Sequence, residues 1–283
     1  MGHKTSGPIV EFLAVLRPVE RVWAALTAPR DLGQLLLGRV EMRAEPGAPL
    51  TWQWGVWEKL APRGRPGRFT WKGTVLDVVP NSTLVLGPQP VVTITVKGQG
   101  QAALVTVVQG AAPPGEKLAD YEYAWADFLL RLKTYLETED LEREVLVRAL
   151  VRATPQQVYR AWLSPKALAK LLPGKAKVEA KLGERFSWQH KRGQHVHTGV
   201  FLELQKNKRI AFSWEGREGS GEPASEVALE AQPAPYGTLV SVHHTGLPRL
   251  SRGQLFGQRM FWTRLLERLR GYFYFHGKIK STD

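Results

Sequence analysis

Near the C-terminus, Trp262, Leu265, Leu266, Leu269, Tyr272 and Phe273 stand at i, i+3, i+4, i+7, i+10 and i+11. That spacing puts six apolar or aromatic side chains on one stripe and predicts a helix over Gln254–Phe275. Arg259, Arg264, Glu267, Arg268 and Arg270 take much of the remaining helix surface. At an offset of 137 residues upstream, Trp125, Phe128, Leu129, Leu132, Tyr135 and Leu136 repeat the same six spacings. A Trp-led stripe near the end of each half says that one unit is built twice.

The duplication extends beyond the helices. At an offset of 136, Val22, Ala25, Pro29 and Leu32 meet Val158, Ala161, Pro165 and Leu168, and Gly47, Leu50 and Trp52 meet Gly183, Phe186 and Trp188. The offset falls to 126 where Gly73, Leu76, Asn81 and Leu84 meet Gly199, Leu202, Asn207 and Ile210, and returns to 136 where Gly110 meets Gly246. The extra stretch in the first copy, Glu58–Arg68, is rich in Pro, Gly and Arg and reads as an exposed loop. The expected domains are residues 1–138 and 141–283, joined by a short acidic link over Glu137–Glu144.

Each copy opens with a strand, Ile9–Leu16 or Glu144–Val151. A helix follows, for which Thr154 is a suitable cap and Pro155 a suitable first residue in the second copy. Ser164-Pro165 starts a second short helix, Lys166–Leu172. A run of alternating segments comes next. Leu182, Phe186, Trp188 and His190 share one face, with a bend near Gly183. Val200, Leu202 and Leu204 then alternate with Phe201 and Glu203. Ile210, Phe212 and Trp214, then Val227 and Leu229, then Val240, Val242 and His244, continue the pattern. One apolar and one wetter face predict an antiparallel sheet covered on one side, with the Trp-led helix as the cover. The expected class is α+β.

Composition narrows the function classes. The 283 residues are 43% hydrophobic and 23% charged, as in a soluble globular protein. Zero Cys excludes disulfides, thiolate metal sites and a Cys nucleophile. No apolar run is long enough to span a bilayer, and the first ten residues lack a signal-peptide core, so a cytoplasmic protein is expected. The net charge of +13 is uneven: residues 1–138 hold 15 Lys/Arg and 12 Asp/Glu, and residues 139–283 hold 24 and 14. The basic second half suits an acidic partner or is simply a solvated surface. The cations are scattered and no nucleic-acid motif accompanies them.

The residues also resemble a known family. In the second copy "VYRAWLSPKALAKLLP", "GERFSWQ", "GVFLELQKNKRIAFSWE", "VSVHHTGLP" and the closing Trp helix resemble the C-terminal-type domain of the ATPase activator of the ninety-kilodalton heat-shock chaperone. That family lies within the START/birch-pollen-allergen (SRPBCC) superfamily. The likeness covers Arg143–Tyr274. The first copy keeps "VWAALTAP", "GTVLDVVPNSTLVL" and the Trp125 helix, but its "GAPLTWQW" lacks the Arg185-Phe186 pair. The resemblance implies two tandem helix-grip domains, each an antiparallel sheet wrapped around a long C-terminal helix with a cavity between them. It implies binding of apolar or amphipathic small molecules there. No fixed catalytic motif comes with it.

The aromatic residues of the second copy are expected to converge between sheet and helix, as an ordinary core or as a lined pocket. The candidate ligand site comprises Phe186, Trp188, His190, Phe212, Trp214, Val242, His244, Trp262 and Leu266, with His190 and His244 as polar anchors. Extra indole volume at Trp52 and Trp54 fills the first copy, making it mainly structural. His195 and His197 share a strand face as a metal pair would, yet no carboxylate stands at ligand spacing, so no metal site or cofactor is expected. Nucleophile-elbow, P-loop and dinucleotide motifs are missing, and Glu203 and Glu215 should point outward, so no catalytic residue is expected. The expected function is non-enzymatic binding of a small apolar or amphipathic molecule, mainly in the second domain. Two alternatives stay open: a chaperone-activator-like protein-interaction module using the basic surface of the second domain, and a cofactor-free enzyme acting in the cavity.

Overall fold

Alternating burial organises each half of the chain as a seven-stranded antiparallel sheet. The computed structural model describes residues 7–36, 38–53, 70–88, 90–110, 118–139, 141, 143–171, 174–190, 196–215 and 224–276. The Glu58–Arg68 insertion and His195 lie outside them. The chain divides into two units, Met1–Glu139 and Asp140–Asp283.

In the first unit β1 (Ile9–Val15) leads through α1 (Val19–Thr27) and α2 (Pro29–Leu36) to β2 (Val40–Glu41), β3 (Pro49–Gln53), β4 (Thr70–Val79), β5 (Thr83–Gly87), β6 (Val92–Gln99), β7 (Ala102–Gln109) and the long α3 (Leu118–Glu137). The second unit repeats this order. Its elements are β8 (Val145–Val151), α4 (Pro155–Leu163), α5 (Pro165–Leu171), β9 (Gly174–Val178), β10 (Arg185–His190), β11 (Val196–Gln205), β12 (Arg209–Trp214), β13 (Ser225–Ala234), β14 (Gly237–Thr245) and α6 (Arg252–His276). The strand orders are β1-β7-β6-β5-β4-β3-β2 and β8-β14-β13-β12-β11-β10-β9. These are two tandem helix-grip domains of the α+β class, each closed by a C-terminal helix on one face of its sheet.

Local chemistry sets the ends. Thr154 Oγ1 accepts from the Gln157 amide at 3.2 Å while Gln157 Oε1 accepts from the Thr154 amide at 2.8 Å. This capping box satisfies two of the donors left open at the start of α4. Ser251 and Gln254 do the same for α6 at 3.3 and 2.9 Å. The turns after β4 and β11 use Asn81 and Asn207 at φ of 58° and 61°, a left-handed conformation that Asn tolerates.

Two readings of β-strand phase need correction. Leu182 is exposed in a turn ahead of β10, because Gly183 takes φ of 81° and redirects the chain. In β11 the expected inward set Val200 and Leu202 is reversed. A register shift between Phe201 and Glu203 leaves Leu202 48% exposed, puts Phe201 in the core at 5%, and returns Leu204 to the core side. This is a β-bulge, which inserts one residue and flips the alternation after it. The first domain carries the same irregularity between Val75 and Asp77, with Leu76 turned out. Close backbone approach accompanies both bulges. A Cβ on Gly199 would sit 1.8 Å from Ser213 O, and one on Gly73 2.2 Å from Gly87 O.

The two cores are separate. Trp262, Leu265, Leu266 and Leu269 pack with the second sheet, and Trp125, Phe128, Leu129 and Leu132 with the first. Residues 141–283 expressed alone should therefore unfold in a single cooperative transition, measured by circular dichroism in urea. A chain that shows no cooperative transition would mean that the second unit needs the first.

Candidate functional site

The alternation in β10, β12 and β13 and the stripe on α6 send large side chains into one space in the second domain. A cavity of about 40 Å³ remains there, walled by Trp162, Leu168, Ala176, Val178, Phe186, Ser187, Trp188, Phe201, Ile210, Phe212, Trp214, Leu229 and Trp262. The rings meet edge to face, the arrangement their quadrupoles favour. Trp188 and Trp214 are 5.9 Å apart at 90°, Phe186 and Phe212 5.0 Å at 79°, and Trp214 and Trp262 5.2 Å at 61°. His197 stacks on Trp214 at 4.5 Å, and Phe261 lies 6.0 Å from the same ring.

Of the residues chosen from the sequence, the structure brings Phe186, Trp188, Phe212, Trp214 and Trp262 onto this wall. Val242 and Leu266 are buried in the same core but stand off the wall. The side chain of His190 lies outside the described residues. His244 is fully buried and also off the wall, where its hydrogen bonds are consumed. Trp262 Nε1 donates to His244 Nδ1 at 3.0 Å, His244 Nε2 lies 2.7 Å from Ser225 Oγ, and Ser225 Oγ donates to Trp214 O at 3.2 Å. An indole N–H only donates, so Nδ1 accepts and the imidazole proton sits on Nε2, pointing at Ser225. Burial, with a smaller push from His243, lowers the imidazole from 6.5 to about 4. It is thus neutral at pH 7 and structural in its contacts.

The first domain holds its helix by the same device. Trp125 Nε1 donates to Gln109 Oε1 at 2.7 Å, with Gln109 fully buried. Gln109 sits opposite Ile9, as His244 sits opposite Val145. A second tether also repeats: Arg131 Nη1 donates to Leu35 O at 3.3 Å and Arg268 Nη1 to Leu171 O at 3.2 Å. Each long helix thereby caps the C-terminal end of a short one, where unpaired carbonyls favour a cation. The surroundings differ. Arg131 pairs with buried Asp127 at 2.6 Å. Arg268 instead feels burial first and Arg264 second, and both lower its pKa.

The filling of the two domains also differs. Trp52 is fully buried, stacked on Phe128 at 6.0 Å and edge-on to Trp71 at 5.6 Å. Trp54 lies outside the described residues. In the second domain Leu265 stands at the position of Phe128 and His197 at that of Trp71. Sequence reasoning missed Trp162 and Phe201 on the wall. Trp162 lies on α4, outside the strands and the long helix from which the site residues are chosen, and Phe201 is hidden by the bulge. The Trp162 indole N–H is buried without a hydrogen-bond partner among the described residues. Glu203 and Glu215 do face outward, to Arg209 at 2.8 Å and Thr198 at 2.7 Å. Among the described residues no three His, Cys, Asp or Glu cluster as metal ligands, and no helix is long and apolar enough to cross a membrane.

Two outcomes follow for the Trp262–His244 pair. Trp262→Ala should cost about 3–5 kcal/mol as a large-to-small core change. Trp262→Phe, which keeps a ring but orphans Nδ1, should cost about 1–3 kcal/mol; urea unfolding measures both. The pH dependence has a definite sign. The unfolded imidazole takes up a proton near 6.5, and the folded one does so only near 4. Stability is therefore complete above the higher value and falls as pH drops through this window, by about 3 kcal/mol at most. His244→Gln, which supplies the same carboxamide acceptor that Gln109 offers Trp125, should flatten that slope. An equal slope in the variant would assign the loss to other groups.

Comparison with known proteins agrees with this architecture. The family described as Activator of Hsp90 ATPase homolog 1-like protein matches residues 17–137 and 152–274. No curated protein sequence matches the chain. Among solved structures, a protein of the dynemicin biosynthetic locus is similar over 93% of this chain and 96% of its own, at 21% identity and TM-score 0.40. An HSP90 activator from Plasmodium falciparum is 20% identical over 48% of this chain and 96% of its own, with TM-score 0.40. A protein from Mesorhizobium loti is 24% identical over 45% of this chain and 94% of its own, with TM-score 0.41. Matched in both of its halves, the chain belongs to the Activator of Hsp90 ATPase homolog 1-like family.

Proposed function

We propose that this protein binds a small apolar or amphipathic molecule, without catalysis, in the cavity of its second domain, while the first domain is mainly structural. The observation that carries the reading is the cavity wall. Its described residues include no titratable side chain, and of the indole N–H groups of its tryptophans that of Trp262 is already bonded to His244. Such a wall favours an apolar body and at most a few acceptors. His244 is a poor proton acceptor here, because its Nδ1 lone pair is taken by Trp262, its Nε2 faces Ser225 and burial lowers its pKa to about 4. A cavity needs roughly 10–15 Å³ to hold one water. About 40 Å³ therefore suits a guest of a few heavy atoms, and a larger ligand enters only as the wall moves.

A second reading, a protein-interaction module of the activator kind, rests on the family and on surface charge. Lys166, Lys170, Lys175, Lys177 and Arg264 are all exposed. The equivalent first-domain positions are Arg30, Gln34, Arg39, Glu41 and Asp127, whose charges cancel. Association through that basic surface would weaken steeply with salt, whereas occupation of the cavity would not.

Cyclohexanone, an apolar ring with one acceptor, tests the first reading in the full chain. It should quench tryptophan emission and raise the unfolding temperature of the wild type, with about 1.4 kcal/mol of stabilisation at ten times the dissociation constant. Ala176→Leu, which adds bulk to the wall, should abolish both effects. Equal effects in the variant, or none in the wild type, would remove the proposal.

A further inference from the structure

The seam between the short helix and the long one carries different charges in the two domains. Arg30, Asp31, Gln34, Asp127 and Arg131 of the first domain correspond to Lys166, Ala167, Lys170, Arg264 and Arg268 of the second. Two cations and two carboxylates thus become four cations and no carboxylate. In the first domain the tethering arginine holds two oxygens at once. Arg131 Nη1 donates to Leu35 O at 3.3 Å, and its Nε donates to the Asp127 carboxylate at 2.6 Å. Arg268 keeps the bond to the short helix, at 3.2 Å from Leu171 O, but Arg264 stands at the position of the carboxylate. Among the described residues no other acid is bonded to Arg268. Residues 155–178, which span α4, α5 and β9, contain no Asp or Glu. The one acid of α6, Glu267, is buried and bonded to Arg270 at 2.9 and 3.2 Å. Arg264, Arg268 and Tyr272 stand at i, i+4 and i+8 and share one face of α6. From α5, Lys170 Nζ lies 5.7 Å from the centre of the Tyr272 ring. Three cations therefore gather beside the end of α5. Burial first and Arg264 second lower the pKa of Arg268, as expected of a cation that no nearby carboxylate offsets.

We propose that this seam of the second domain binds a phosphate monoester group between Arg264, Arg268 and Lys170. A half-buried cation beside a second one is costly unless an anion offsets it. A guanidinium presents five donors in a planar fork. Arg268 spends one on Leu171 O, which leaves an edge suited to the oxygens of an oxyanion. The carbonyl end of α5 would repel an anion, but the Arg268 donor covers Leu171 O and screens it. Charge selects phosphate over carboxylate. The first domain sets two carboxylates against its two arginines, whereas one carboxylate here would leave the four cations largely unbalanced. A phosphate monoester carries close to two negative charges at pH 7 and three acceptor oxygens, so it can meet both guanidiniums and the Lys170 ammonium together. The same group is presented by a small soluble ester and by the headgroup of phosphatidic acid. None of the three cations lies on the cavity wall, so the site does not depend on the cavity being filled.

Titration of the full chain with glycerol 3-phosphate at fixed ionic strength, followed by calorimetry and phosphorus NMR, tests the soluble source. Co-sedimentation with phosphatidylcholine vesicles, with and without phosphatidic acid, tests the lipid source. The wild type should bind at least one of the two. Arg264→Asp places a carboxylate beside Arg268 as in the first domain and should weaken that binding by roughly a hundredfold, with circular dichroism reporting an intact fold. Should that variant fail to fold, Arg264→Gln changes only an exposed side chain and should weaken binding by about tenfold. Lys206→Asp, in the turn after β11, makes the same change in net charge as Arg264→Asp and should bind as the wild type does. Binding of glycerol 3-phosphate supports the site with a soluble ester, and binding of the acidic vesicles alone supports it with a lipid headgroup. Binding of neither, a folded Arg264 variant that binds like the wild type, or an equal loss in Lys206→Asp would each overturn the proposal.

Discussion

One hydrogen bond, made twice, holds each long helix to its sheet. A tryptophan early in the helix donates its indole N–H to a buried acceptor at the end of the last strand, Gln109 in one domain and His244 in the other. Such a bond contributes only about 1 kcal/mol net, but its loss strands a buried polar group at a cost of about 1–3 kcal/mol. The larger consequence is positional. Fixing the indole fixes the rotation of the helix about its axis, and with it which side chains meet the sheet. The arginine tether to Leu35 or Leu171 then fixes the helix further along its length. With both ends set, the space beneath the strands depends on the size of the rings that fill it. Trp52, Phe128 and Trp71 make one filling, and Trp188, Leu265 and His197 the other.

The helices, the duplication and the sheet could be read from the chain because they rest on period and order. A Trp-led stripe at helical spacing has few alternative meanings, and its recurrence confirmed the unit. The role of His244 could not be read. Alternation says only that a side chain points inward, not whether it meets open space or a partner. Its partners, Ser225 and Trp262, are distant in sequence and meet it only through the fold. Register hid the parallel with Gln109 as well. Aligning Gly110 with Gly246 sets Gln109 against Thr245, whereas the strand pairing sets it against His244, one residue earlier. Phe201 was lost for a related reason, since the extra residue at Leu202 puts Phe201 and Leu204 on the same face, and a phase that is right for Leu204 is inverted for the residues before the bulge.

The two copies agree inside and diverge outside. Acceptor, tether, bulge and turn recur with different residues filling the same task, so the interior constrains the role of a side chain more than its identity. Imidazole and carboxamide are interchangeable as acceptors, though only one of them carries a titratable proton. Outside, the copies have parted: Lys166, Lys170, Lys175, Lys177 and Arg264 are exposed on the second, where the charges at the equivalent positions of the first cancel. A duplicated fold can vary its surface in this way because none of those side chains makes the Trp262–His244 bond or the arginine tether that hold the helix.

The strand order has a consequence for synthesis. In each domain the first strand pairs with the last, Ile9 opposite Gln109 and Val145 opposite His244. Neither sheet can close until about a hundred residues after its opening strand have left the ribosome, and closing so long a loop slows folding. The pairing partners nevertheless all lie within one copy. The first domain can thus complete its sheet while the second is still being made, and the nascent chain never has to keep strands of the two similar units apart at the same time.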